Sequence, residues 1–296
     1  MEYIDAKAIL MSSDGAWFGS EYTANLYRGC GHGCIYCDSR SDCYAIKHFD
    51  TVRVKRDALR ILENEIAHKR KKGIVGLGAM SDSYNPAEKD LELTRGALKL
   101  FDRYGFGVSI ETKSDLILRD LDVLRSIVTH SPVNVKLTVT TPYDALSKKL
   151  EPKAPVSKRR FAALAQVSAA GIYCGVLLTP ILPFIEDDSA SVLSIVEKAA
   201  EAGCKYVYAG TKPGVTLRDS QRVYFLTKIE KLFPGMKDRY CAAFGDDYFC
   251  PSPRADELYK TIAEACRRKN LAYTMDDIVA ENKRPYETRQ ISLFDM

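Results

Sequence analysis

Cys30, Cys34 and Cys37 close the run Asn25-Leu26-Tyr27-Arg28-Gly29-Cys30-Gly31-His32-Gly33-Cys34-Ile35-Tyr36-Cys37, a C-x3-C-x2-C spacing. Thiolates so spaced can hold three irons of a [4Fe-4S] cube. The fourth iron is left without a cysteine, and an open metal position is where chemistry can happen. Gly29, Gly31 and Gly33 supply the backbone freedom that a loop wrapped around a cluster needs. Two other readings compete with the cluster: a zinc knuckle, to which Cys43 or His32 could add a fourth ligand, and three unrelated buried thiols. Zinc cysteines usually come as a close pair followed by a second pair, and no second pair follows here. The spacing therefore favours the cluster.

The elements that must position these thiols are legible as alternating β-branched runs and amphipathic segments. Strands are expected at 22–28, 74–79, 106–111, 133–139, 173–179 and 204–208. Helices are expected at 54–72, 88–104 (Leu91, Leu98 and Phe101 at helical spacing, stopped by Gly105), 116–128, from an N-cap at Ser157 to Gly171, and 189–202. Such alternation implies parallel strands joined by helical crossovers. Six strand–helix units are too few to close the eight-fold barrel. The fold class expected is thus α/β, a partial, open (βα)6 TIM-type barrel over 1–215. A C-terminal extension follows over 216–280, with helices at 220–233 and 254–269 and an aromatic loop at 235–253. Residues 281–296 read as a flexible tail.

Bulk properties bound the rest. The chain has 296 residues, 46% hydrophobic and 28% charged, ordinary for a globular protein with a buried core. No run of eighteen apolar residues is present, so no membrane span is expected. Met1-Glu2-Tyr3-Ile4-Asp5 lacks the basic and apolar regions of a secretory leader. Nine cysteines without a disulfide pattern suit a reducing cytoplasm. A net charge of +4 permits nucleic-acid binding without arguing for it.

The cysteine motif, with an aromatic just before its third Cys, resembles the radical S-adenosylmethionine (SAM) superfamily. The resemblance implies that the open iron chelates SAM and that the reduced cluster splits it to a 5′-deoxyadenosyl radical, with a flavodoxin- or ferredoxin-type electron donor as partner. Beyond the motif, Ser81-Asp82, Thr112-Lys113, Lys136-Leu137-Thr138, Leu150-Glu151-Pro152 and Gly171 to Ile181 follow in an order similar to the spore photoproduct lyase family, over about residues 22–210. That similarity implies Lys113 on the SAM carboxylate, Thr138 and the Ser81-Asp82 pair at the SAM site, and Tyr36 at the adenine. It also implies a nucleic-acid substrate, a DNA lesion or modified nucleotide, with modification of a peptide or small metabolite, or a non-catalytic iron–sulfur scaffold, as the alternative readings.

Two departures stand out. Where the lyase family has a hydrogen-donating Cys, this chain has Ala79; where it has a second Tyr after the third cluster Cys, this chain has Asp38. A lyase-like member, rather than the lyase itself, is expected. Replacement hydrogen donors are sought first in Tyr84 and Cys43, then in Cys174 and Cys250. At the end of the chain, Gln290, Leu293 and Phe294 in Arg289-Gln290-Ile291-Ser292-Leu293-Phe294 resemble the peptide by which replication and repair proteins hold the sliding clamp.

Overall fold

A computed structural model describes residues 2–291, the side chains of 288–291 excepted. Along the chain run β1 (Glu2–Ile4), β2 (Leu10–Ser12), β3 (Tyr22–Ala24), β4 (Tyr27–Arg28), β5 (Arg53–Lys55), α1 (Ala58–Ala67), β6 (Ile74–Leu77), α2 (Glu88–Leu91), α3 (Leu93–Tyr104), β7 (Gly107–Thr112), α4 (Leu121–Val128), β8 (Val133–Thr138), α5 (Asp144–Leu150), α6 (Ser157–Ala169), β9 (Tyr173–Leu177), α7 (Ser189–Glu201) and β10 (Tyr206–Tyr208). Beyond them lie β11 (Gly214–Thr216), α8 (Asp219–Leu232), α9 (Met236–Phe244), β12 (Phe249–Pro251), α10 (Ala255–Arg268) and α11 (Met275–Ile291).

The main sheet has seven strands in the order β10-β9-β8-β7-β6-β3-β2. Every neighbouring pair is parallel except β2–β3. The six parallel strands, each followed by a helical crossover, are the open (βα)6 barrel the sequence implies. Val75, Val108, Ile110, Val133, Val135, Leu137, Cys174 and Val176 are almost wholly buried between sheet and helices. Fully covered strands of this kind read as continuous apolar runs, which is why they were visible in the sequence. A second core joins the barrel to the C-terminal elements: Ile35, Tyr36, Leu150 and Leu182 pack with Val215, Leu217, Phe225, Ile229, Tyr240 and Phe244. The extension therefore rests on the cysteine loop.

Several local expectations are corrected. The strand over 22–28 is two strands in different sheets, because β4 pairs with β5 rather than β6. The helix over 54–72 loses its start to β5 and spans only Ala58–Ala67. The helix over 88–104 breaks at Glu92, whose backbone is left-handed (φ 50°), and the buried Glu88 carboxylate accepts from Thr94 N (3.0 Å) at the head of α3. Residues 115–120 form a 3-10 turn before α4. Ser157 does not cap α6; Val156 does, and the Ser157 hydroxyl donates to Thr141 O at 2.7 Å. The aromatic loop at 235–253 contains α9 and β12, since Tyr240 and Phe244, four apart, bury on one helix face.

The expected tail from 281 is helical as far as Ile291. Lys283 pairs with Glu21 (3.0 Å), and the Tyr286 hydroxyl donates to Val128 O (2.8 Å). The Gln290 side chain, Leu293 and Phe294 lie outside the described residues. Among those described, no helix is long and apolar enough to cross a membrane.

Candidate active site

The cysteine loop leaves β4 through Gly29, whose φ of +82° and approach to Thr51 O (2.5 Å from where a Cβ would sit) exclude any side chain. Backbone bonds then fix the loop: Cys30 N to Phe49 O at 2.8 Å, Ile35 N to Leu150 O at 3.0 Å, and Lys153 N to His32 O at 3.0 Å. The thiols of Cys30, Cys34 and Cys37 line one cavity, together with Ser81, Asp82, Lys113 and Thr138. Those four come from the C-terminal ends of β6, β7 and β8, the face on which barrel enzymes build their sites.

A [4Fe-4S] cluster was tested against this donor set. Burial pushes the Cys30 thiol up to about 12 and raises Cys34 and Cys37, while Lys113 draws the latter two back down. The shifts favour the protonated thiols in the free protein, and binding a cationic metal is what would stabilise them as thiolates. Among the described residues no three His, Cys, Asp or Glu converge on the position of a single ion. Of the two extra zinc ligands considered, the exposed Cys43 contacts Ser41 Oγ (2.9 Å) and is not part of the cavity wall, whereas His32 lines the cavity with Nε2 on Asp82 (2.9 Å) and Nδ1 unpartnered. The residues fit the cluster.

Ser81 and Asp82 line the cavity, but their polar atoms are spent on the protein. The Ser81 hydroxyl donates to Gly29 O. Asp82 Oδ2 accepts from Lys113 N (2.9 Å) and meets His32, while Oδ1 accepts from Thr112 Oγ1 (2.7 Å) and Tyr84 N (2.8 Å). Burial would raise the Asp82 carboxyl, but His32 and these donors hold it down at about 2. The pair thus organises the wall. Lys113 keeps its charge: burial works against it, and the Cys34 and Glu151 charges outweigh that effect. Its Nζ stands 5.6 Å from the centre of the Tyr36 ring.

A second cavity adjoins the first and shares Cys37, Ser39, Ala79 and Thr179 as walls. Tyr36, Tyr44, Lys212, Thr216 and Phe249 complete it. Sequence reasoning missed this chamber, because Tyr44 and Phe249 are distant in the chain and neither belongs to a motif. None of the four hydrogen-donor candidates lines either cavity. Tyr84 is 1% exposed, donates to Asp120 Oδ2 at 3.1 Å and lines neither cavity. Its own N–H donates to Asp82 Oδ1, and its ring packs in the barrel core. Cys43 lines neither cavity, Cys174 is buried in the barrel core, and Cys250 is buried on β12.

The radical SAM superfamily model matches residues 24–195, more than half of the chain. The chain belongs to the radical SAM superfamily. An uncharacterised Mycobacterium bovis protein is 29% identical over 258 residues, covering 85% of this chain and 75% of that one. An uncharacterised Methanocaldococcus jannaschii protein is 36% identical over 171 residues, covering 57% of this chain and 63% of that one. Among solved structures, a variant of spore photoproduct lyase superposes with a TM-score of 0.69 at 16% identity, over 92% of this chain and 80% of the lyase. The Kitasatospora setae radical SAM methyltransferase TsrM, with tryptophan and a SAM analogue bound, gives 0.53 at 9% identity, over 83% of this chain and 51% of TsrM. At these identities the structures show a shared fold. Within that radical SAM fold, the present chain has Ala79 on the wall shared by the two cavities and Asp38, directly after the third cysteine, on the wall of the second.

Proposed function

We propose that this chain is a lyase-like radical SAM enzyme that abstracts hydrogen from a substrate seated in the second cavity, with a nucleic-acid base or nucleotide as the substrate class. The observation that carries the reading is the shared wall. Cys37, Ser39, Ala79 and Thr179 face both the thiol-lined cavity and the chamber beside it. When bound, the cluster supplies the electron that cleaves SAM to methionine and a 5′-deoxyadenosyl radical.

The chain's own residues do the rest. Lys113 meets the SAM carboxylate as a partly buried cation, a charge-assisted contact at a strand end. Thr138 offers a hydroxyl from the end of β8. Burial of Cys34, Tyr36 and Thr138 keeps bulk water from the reacting region. Phe249 and Tyr44 give the second chamber aromatic walls, Lys212 adds a cation, and Tyr248 is half exposed nearby on the same chain segment. Aromatic walls with cations suit stacked bases and their phosphates. A further structure of the lyase carries a dinucleoside spore photoproduct, in line with that substrate class. Ala79 has no hydrogen to give, so any returned hydrogen comes from a residue other than the one at that position.

The test is anaerobic. Reconstituted, dithionite-reduced protein is incubated with SAM and a panel of single-stranded, duplex and damaged nucleic acids in deuterated form. Deuterium in 5′-deoxyadenosine with one of them supports the reading. SAM cleavage that no nucleic acid stimulates or labels, with labelling from a peptide or small metabolite instead, overturns the substrate class. Absence of any SAM cleavage overturns the enzyme.

A further inference from the structure

Tyr36, between the second and third cysteines, is buried, and its hydroxyl donates to Glu151. Glu151 is 1% exposed and follows α5 directly; Ser147 Oγ donates to it at 3.4 Å. Its main partner is Arg160 on α6, which has no exposed surface and donates Nη2 to the same carboxylate. Arg160 spends its remaining donors on backbone: Nη1 to Thr138 O at 2.8 Å and Nε to Pro155 O at 2.7 Å.

A buried ion pair is poor evidence of a stability device, because apolar residues of similar volume commonly serve as well. What this pair does is geometric. One end holds the hydroxyl of the residue flanked by two cluster thiols, and the other holds the carbonyl of the strand end at the SAM-facing wall. Flanking bonds repeat the connection: Ile35 N to Leu150 O and Lys153 N to His32 O tie the same strap to the same loop. The Glu151 charge also acts on Lys113, whose ammonium lies over the Tyr36 ring.

We propose that Glu151 and Arg160 are positioning residues that lock the cysteine loop, through Tyr36, to the end of β8, so that the cluster and the SAM-binding groups hold one register. The proposal rests on the radical SAM reading above. Glu151 and Arg160 touch neither the cluster nor SAM in this role; they act through Tyr36, Thr138 and Lys113.

The test compares the parent protein with Tyr36→Phe and Glu151→Gln, each anaerobically reconstituted at full length. Iron and sulfide content, urea unfolding, SAM affinity by equilibrium dialysis, and the electron paramagnetic resonance spectrum of the reduced cluster with and without SAM are measured. Both variants are expected to keep the cluster but to bind SAM about tenfold more weakly, the equivalent of one hydrogen bond. Their SAM-induced spectral change is expected to be broadened or lost. Lower unfolding midpoints with parental SAM affinity and a parental spectral change overturn the proposal, leaving a purely structural pair. Where Glu151→Gln fails to fold, Tyr36→Phe decides alone, since it keeps the ring and the buried pair and removes only the hydroxyl. A parent that shows no SAM-induced change at all overturns the radical SAM reading itself, a result separable from parental behaviour in the variants.

Discussion

Asp82 and His32 meet at 2.9 Å, both almost fully buried, so the turn after β6 and the cysteine loop share one hydrogen bond beside the thiols. The same carboxylate takes Thr112 and the Lys113 backbone, and so three walls of the cavity converge on one side chain. Asp82, which resembled a SAM-site residue in sequence, thus joins the cysteine loop to the ends of β6 and β7. Asp82→Ala leaves a buried imidazole and two backbone N–H groups without their acceptor. Unsatisfied groups of this kind cost about 3–5 kcal/mol together. The expected outcome is a lower urea midpoint and poor cluster retention, read by unfolding and iron content. Parental stability with weakened SAM binding would instead make Asp82 a direct contact.

The cluster itself gives a sharper contrast between two cysteines. Cys34 is buried in the cavity wall and Cys43 is exposed outside it. Anaerobically reconstituted protein is expected to hold about four irons and four sulfides. Cys34→Ala should lose the cluster and SAM cleavage, while Cys43→Ala should keep both. Zinc as the sole stoichiometric metal after reconstitution would refute the assignment.

Lys113 tests the SAM site. Its ammonium is held near Tyr36 and the thiols with a backbone fixed by Asp82. Removing a charged hydrogen bond costs about 1.5–3 kcal/mol, so Lys113→Ala should weaken SAM binding to that extent without loss of iron. Equilibrium dialysis against labelled SAM measures it, and an unchanged dissociation constant would remove Lys113 from the site.

What the sequence disclosed and what it hid follow from range. The thiols, Lys113 and Thr138 were legible because a motif and the C-terminal ends of apolar runs are local features, and the barrel face then brings those ends together. The Glu151–Arg160 pair was not legible as a pair. Glu151 stood in a family-like segment without a role and Arg160 looked like an ordinary charged residue on a helix; only the packing of α5 and α6 brings the two together and buries both. Tyr84 lies on a turn that leaves β6 at the site, but its ring is buried in the core with its hydroxyl on Asp120, a burial that the local sequence does not disclose. The second cavity needed β11 and β12, 214–216 and 249–251, to pair across the two intervening helices α8 and α9.

Two buried ionisable groups outside the thiol cavity should shape stability against pH in opposite directions. Burial and the nearby Glu151 charge push Glu186 up to about 8, even though Thr140 and the Leu182 backbone donate to it. The native protein then keeps a proton that the unfolded chain releases near 4.5, so stability should fall as pH rises from about 4.5 to 8. Lys136 behaves in the reverse sense. Burial lowers it to about 8 against an ordinary 10.5, the Glu111 charge opposing the fall; its ammonium donates to Ser109 Oγ (2.8 Å) and lies over the Phe18 ring. Below about 8 it is charged in both states and the native state bears the desolvation cost; as pH rises toward 10.5 that cost fades and stability should recover. Cys266 and Tyr44, both pushed up to about 12, lower stability over the same alkaline range, so each contribution is read as the difference between parent and variant rather than from the parental profile. Glu186→Gln should flatten the acid-side fall. Lys136→Met should flatten the alkaline-side rise and stabilise the protein at neutral pH by up to about 3 kcal/mol. Anaerobic urea unfolding of parent and variants at intervals from pH 5 to about 10 reads both slopes. Variants that keep the parental profile would show that other groups set it.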